Sequence, residues 1–211
     1  MSRPKRTTLS AKNLIKRGVP KALHTCTLDD LDTFGIEKRT QAIEYIKDYI
    51  NHLEDNFNNN HGLLIYGSNG VGKSFIASLI TKYAYINRYT SKRCTYMDYS
   101  NEVVRLWNCK DYNEREMLEE NLYRDYQAVE FLVLEEVGKE IQNKVTVPIL
   151  EGLLRFREER GLVTIICTNL SPKLLMEQYG ASIVSLITGN CTPIKIVGKD
   201  LRQDIFDERT K

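Results

Sequence analysis

Two hydrophobic rhythms run along the chain. Ile43, Ile46, Tyr49, Ile50 and Leu53 recur at helical spacing among Lys, Asp, Glu and Gln, which predicts an amphipathic helix ending near the polar run Asn56 to Asn60. Gly62 then opens Leu63-Leu64-Ile65-Tyr66, an unbroken apolar run of the kind a strand buried on both faces requires. A glycine-rich turn follows, and Phe75, Ile76, Leu79, Ile80 and Tyr83 mark a helix directly behind it. Downstream, the pattern predicts a strand at Arg93–Met97 and helices around Glu102–Trp107 and Glu114–Tyr126. It then gives a strand at Phe131–Leu134 and a helix from Val147 to Glu159 with Pro148 in its first turn. Val163–Cys167 reads as a buried strand, Ser171-Pro172 as the start of a helix to Tyr179, and Ile194–Val197 as a last strand.

Strands that alternate with helices predict an α/β fold with a parallel, doubly wound sheet, whose ligands sit at the carboxyl ends of the strands. With 42% apolar and 27% charged residues over 211 positions, the chain is too apolar for disorder and long enough for one domain. Its longest apolar runs fall far short of the roughly 20 residues of a membrane helix. No apolar stretch follows the charges of Met1-Ser2-Arg3-Pro4-Lys5-Arg6, so a secretory signal is not expected and a cytoplasmic location is. The five cysteines are scattered and never spaced as C-x-x-C, which argues against structural zinc and a disulfide framework. The net charge is only +2, but residues 1–21 carry seven cations and no Asp or Glu. That contrast divides the chain into a basic N-terminal arm, 1–21, and a folded domain, 22–211.

Gly67-Ser68-Asn69-Gly70-Val71-Gly72-Lys73-Ser74 is a complete G-x-x-x-x-G-K-[ST] match between a buried strand and a helix, where the mechanism of a P-loop requires it. Backbone N–H groups of such a loop surround a β-phosphate, and Lys73 is placed to neutralise β/γ oxygens. Ser74 is the candidate Mg²⁺ ligand, and Phe75, next on the helix, is counted with the ATP site. Phe131-Leu132-Val133-Leu134 ends in Glu135-Glu136. If that strand lies beside the P-loop strand, Glu135 faces the metal and Glu136 is the candidate activator of the attacking water. Thr168-Asn169 emerges from the strand Val163–Cys167 at the same edge. From spacing alone Asn169 either orients the lytic water or simply opens a turn. Arg202 is a candidate for reading the γ-phosphate, or a surface residue. Guanine selection is not expected, because Asn143-Lys144-Val145-Thr146 ends in a threonine where a carboxylate would accept from the base. A small-molecule kinase would want an arginine-bearing lid, for which only Arg155, Arg157 and Arg160 are at hand.

These residues resemble the DnaC/DnaI-type helicase loaders and the related IstB-type transposition helpers, all AAA+ ATPases, over roughly residues 17–202. The carriers are Gly18-Val19-Pro20, Thr27-Leu28-Asp29-Asp30-Leu31-Asp32, the P-loop with Gly62–Tyr66 before it, Thr164–Leu170, and Gly189-Asn190-Cys191 through Gly198–Arg202. The resemblance implies an AAA+ fold with little or no C-terminal lid, Asn169 as the sensor I residue and Arg202 as sensor II. It also implies ATP with Mg²⁺, a hexameric DnaB-type helicase and single-stranded DNA as partners, and a homo-oligomer. An IstB-like helper and a P-loop kinase are the alternatives.

Two departures from that family's pattern stand out. Glu135 replaces the usual Asp, and Leu186 stands where the family carries an arginine finger, so slow or partner-dependent hydrolysis is expected unless another arginine such as Arg157 substitutes. Only about 60 residues precede the P-loop strand, fewer than a separate helicase-binding domain would need. For single-stranded DNA, Arg88, Lys92, Arg93, Arg105 and Lys110 are interleaved with Tyr85, Tyr89, Tyr96 and Trp107. Arg105 and Lys110 are the candidate contacts.

Overall fold

The computed structural model describes residues 9–33, 40–139 and 145–198. Helix α1 (Ala11–Lys16), a 3-10 turn (Lys21–Leu23), α2 (Asp30–Thr33), α3 (Thr40–Asn51) and α4 (Leu53–Asn58) lead into β1 (Gly62–Tyr66). Then follow α5 (Lys73–Ile86), β2 (Ser91–Thr95), α6 (Tyr96–Asn108), α7 (Tyr112–Leu122), a π turn (Tyr123–Gln127) and β3 (Phe131–Val137). The remainder is α8 (Thr146–Glu159), β4 (Val163–Thr168), α9 (Pro172–Asn190) and β5 (Cys191–Lys195).

The five strands form one parallel sheet in the order β2-β3-β4-β1-β5. The unbroken apolar runs are explained by which face each residue serves. Leu63, Ile65, Phe131, Val133, Val163 and Ile165 belong to one buried cluster with α3, α4 and α5, whereas Leu64, Leu132, Leu134 and Ile166 belong to the other with α6, α8 and α9. A period of two on strands covered from both sides leaves no polar position.

Element boundaries moved where capping outweighed apolar pattern. Thr95 and Asp98 form a reciprocal capping box, Asp98 N–H donating to Thr95 Oγ1 at 3.0 Å and Thr95 N–H to Asp98 Oδ2 at 3.2 Å. The box starts α6 at Tyr96, so β2 spans Ser91–Thr95 and not Arg93–Met97. Helix α9 is two helices joined across a kink at Gly180, whose φ of 80° and ψ of 174° are non-helical, so the first ends at Tyr179 as the pattern predicts and a second runs on to Asn190. The last strand is Cys191–Lys195, which accommodates Pro193 because β5 lies at the sheet edge.

Residues 9–23 lie against the opposite edge. Leu14 and Val19 pack with Tyr85, and Arg93 N–H donates to Arg17 O at 2.8 Å, extending the main-chain pairing beyond β2. Gly18 takes φ +80° there, and a Cβ on it would stand 2.0 Å from Arg93 O. Lys82 of α5 donates to His24 O (2.7 Å) and Cys26 O (2.6 Å), anchoring the segment that follows; burial lowers its pKa.

Arg157 on α8 is fully buried and joins elements distant in sequence. It donates to Thr164 Oγ1 (2.9 Å) and to the carbonyls of Tyr126 (3.1 Å), Gln127 (2.9 Å), Val129 (2.9 Å) and Val163 (2.6 Å). Burial brings its pKa down to about 9, which leaves it charged at neutral pH. The expected substitute for an arginine finger is therefore a core residue, out of reach of any neighbouring molecule. Arg157→Met would strand four carbonyls and is expected to destabilise the fold by about 3 kcal/mol or more, read as a lower urea midpoint. An unchanged midpoint would contradict this role.

Candidate nucleotide-binding site

The carboxyl ends of β1, β4 and β3 are level. Tyr66 pairs with Thr168 on one side, and Thr168 pairs with Val137 on the other. Thr168 Oγ1 reinforces that alignment by donating to Val137 O at 2.6 Å, while accepting from Leu170 N–H at 3.0 Å. Chemistry placed after these three strands therefore shares one rim.

On β1 the rim is the glycine-rich loop. Ile196 N–H donates to Tyr66 O at 2.8 Å, and this brings the chain beyond β5 so close that a Cβ on Gly67 would fall 2.2 Å from Ile196 O. Gly67, Gly70 and Gly72 all have positive φ, and Gly72 in the left-handed region caps α5. The Lys73 ammonium donates to Gly67 O and Ser68 O, both at 2.7 Å, which holds the cation over the loop. Ser74 beside it is exposed, while Val71 and Phe75 are buried and fix the loop to the core. A cation, an open hydroxyl and a helix N-terminus suit a polyphosphate with its divalent ion.

Asn169 follows β4 and donates through Nδ2 to Oδ1 of Asn69 in the loop, at 2.8 Å. The structure thus joins Asn169 to the Gly67–Ser74 segment, one hundred residues away in sequence.

The strand carrying Glu135 and Glu136 is not beside the P-loop strand, because β4 lies between them. Two strand spacings separate β3 from β1, about 10 Å. A register shift between Leu134 and Val137 inserts one residue opposite β4, and this bulge divides the two carboxylates. Glu135 turns inward, is 4% exposed, and is ion-paired with Arg93 of β2, whose guanidinium also donates to Gly18 O at 2.6 Å. Glu136 is exposed, pairs with Lys139 at 2.7 Å, and takes φ 60°, a conformation that costs a non-glycine residue about 1–2 kcal/mol. Arg93 is the residue that sequence reasoning misplaced. It was grouped with solvent-facing cations, and only its position on a strand flanked by buried partners signals otherwise.

The sequence-predicted DNA contacts lie elsewhere. Arg105 is exposed and ion-paired with Glu114 at 2.9 Å, and Lys110 is exposed beyond the end of α6. Of the interleaved aromatics, Tyr85, Tyr89 and Tyr96 are core residues, whereas Trp107 is 57% exposed; Tyr112, 77% exposed, joins it. Arg202 lies outside the described residues. No helix of the described residues is long and apolar enough to cross a membrane, and none of their His, Cys, Asp and Glu side chains cluster as a metal site.

No protein-family model matches the chain, and no curated protein matches its sequence. Solved structures do. The DnaC helicase loader superposes with a TM-score of 0.64 at 20% identity over 75% of this chain and 89% of that one. DnaI gives 0.63 at 20% identity over 89% of this chain and 99% of that one. The replication initiator DnaA, bound to AMPPCP and single-stranded DNA, gives 0.61 at 19% identity, with 82% of this chain covering 51% of that one. The chain thus spans about half the length of the initiator and most of the length of the loaders. These likenesses show the fold alone, a five-stranded parallel sheet between helices with no evident lid domain among the described residues.

Replacing Arg93 by Ala removes the guanidinium that is ion-paired with the buried Glu135, for which a loss of about 3–5 kcal/mol of stability is expected. In the Arg93→Ala, Glu135→Ala double variant the loss should be smaller than the sum of the single losses, a coupling of at least about 1 kcal/mol by denaturation. Additive losses would mean the pair is not an energetic unit.

Proposed function

We propose that the chain binds ATP with Mg²⁺ and acts in DNA replication, loading a hexameric DnaB-type helicase onto single-stranded DNA in the cytoplasm, with slow or partner-dependent ATP hydrolysis. The observation that carries the nucleotide reading is the Asn169–Asn69 hydrogen bond, which sets a polar side chain from β4 against a P-loop whose lysine is already held over it. The loader reading is supported by the solved neighbours in which the chain spans most of the partner's length.

Bound ATP would supply the phosphoanhydride and Mg²⁺ the counter-charge. Backbone N–H groups of Gly67–Ser74 and Phe75 cradle the phosphates, Lys73 exchanges its two carbonyls for phosphate oxygens, and the exposed Ser74 hydroxyl offers the metal a ligand. Glu136, projected to solvent by the bulge, accepts the proton of the attacking water, and Asn169 orients that water. The left-handed φ of 60° at Glu136, which Asn60 and Arg88 share elsewhere in the chain, fits such a role because here it falls at the rim. Arg202 is assigned to the γ-phosphate.

Two features explain weak hydrolysis. Glu135 is committed to Arg93, so it can serve the metal only in competition with a guanidinium. A trans arginine is worth about 10³–10⁵ in rate. Leu186, where one was expected, is partly buried against the core, and Arg157 is wholly enclosed.

Lys73→Ala is expected to weaken ATP binding by tenfold or more by calorimetry, since each charge-assisted hydrogen bond contributes about 1.5–3 kcal/mol. Light scattering after size exclusion, with a hexameric DnaB-type helicase, should show a stoichiometric complex that responds to ATP against ADP and is altered by Lys73→Ala. Absence of a complex with any nucleotide would remove the loader reading and favour the transposition helper.

A further inference from the structure

At the sheet edge formed by β2, far from the P-loop, a cavity of about 230 Å³ opens between α1, β2 and the π turn. Its lining includes Lys16, Arg17, Lys92 and Arg124, against one carboxylate, Asp125. Thr90 and Lys92 stand at the amino end of β2, whereas the nucleotide rim is at the carboxyl ends, a strand length of about 13 Å away. The cavity is therefore not part of the ATP site.

Neutral groups help to position two of these cations. The Arg17 guanidinium lies 3.8 Å over the Tyr85 ring and donates to Asn13 O at 3.0 Å. Lys92 donates to Lys16 O at 3.1 Å and stands 5.4 Å over the Tyr126 ring. Arg124 makes two bonds to Asp125, at 3.0 and 3.1 Å. Asp125 reports the local field: its carboxyl is held below the usual range first by the Arg124 hydrogen bond, against the effect of burial, with the charges of Arg124, Lys92 and Lys16 adding to it. The other nearby acid, Glu130, accepts from Thr90 N–H at 2.7 Å and Thr90 Oγ1 at 3.1 Å, so its acceptor is turned to the protein. Pre-positioned cations in a concave site favour an anion, because little side-chain freedom is lost on binding.

We propose that this cavity binds the phosphodiester backbone of single-stranded nucleic acid. It deepens the single-strand binding of the proposed function and assigns it a site separate from Arg105 and Lys110. One ring for base stacking stands alongside: Tyr123 on the same π turn is 53% exposed and meets Phe156 edge-on, whereas Tyr126 packs into the core against Tyr99. An acidic protein segment would use the charge and not the ring.

The test is anisotropy of a fluorescein-labelled oligothymidylate across salt, with the full chain, the Lys16→Gln, Lys92→Gln, Arg124→Gln triple variant and the Arg105→Ala, Lys110→Ala double variant. The triple variant is expected to weaken binding about tenfold or more and to flatten the log–log salt slope by about 2, at about 0.7 per phosphate contact. It should keep its ATP affinity, which reads the fold. Should it fail to fold, Lys16→Gln alone, on exposed α1, should flatten the slope by about 0.7. Binding that falls only in the Arg105, Lys110 variant overturns the cavity and keeps single-strand binding. No binding by the unaltered chain overturns both. Capture of labelled polyglutamate, lost in the triple variant while the oligonucleotide is ignored, replaces nucleic acid with an acidic protein.

Discussion

A parallel sheet covered by helices on both faces leaves its strands no solvent-facing side, and that constraint shapes every other feature of this protein. Leu63 and Leu64, neighbours in sequence, are buried in different layers, and so are Val133 and Leu134. Thr164 aside, the inner strands β1, β3 and β4 carry no polar side chain before their carboxyl ends, so their polar chemistry collects where they finish. The level ends of β1, β4 and β3 then bring a glycine-rich loop, an amide and a pair of carboxylates to one rim without any of them being near in sequence.

The same burial raises the stakes of the polar groups that do enter. Arg157 gathers the main-chain carbonyls left over by the π turn and by the approaches to β3 and β4, groups that water cannot reach. Arg93 does the equivalent at the other edge, where one guanidinium serves both a backbone carbonyl of the N-terminal segment and the inward carboxylate of the bulge. In each case a long cation substitutes for solvent.

Much of this was legible in sequence because strong periodicity and a motif with a fixed mechanism do not depend on distant context. The α/β class and the strand–loop–helix around Lys73 follow from local pattern. What sequence left obscure depends on tertiary pairing. Whether Glu135 neighbours the P-loop strand is a matter of strand order, and β4 occupies that place. The bulge that separates Glu135 from Glu136 exists only relative to β4. Tyr85, Tyr89 and Tyr96 read as stacking surfaces as easily as core, and packing decided for core. An arginine in sequence signals surface, so Arg93 and Arg157 could be placed only once their partners were known.

The guanidinium of Arg93 holds a carbonyl of the N-terminal segment with one nitrogen and the Glu135 carboxylate with another. Those two attachments share one rigid plane, so they do not move independently. Whatever draws the carboxylate away loosens the segment's anchor, and whatever displaces the segment frees the carboxylate. Thermodynamic reciprocity makes the two influences equal in free energy. A partner that grips the segment around Gly18 would thus be felt at the rim as strongly as an occupant of the rim would be felt by the partner.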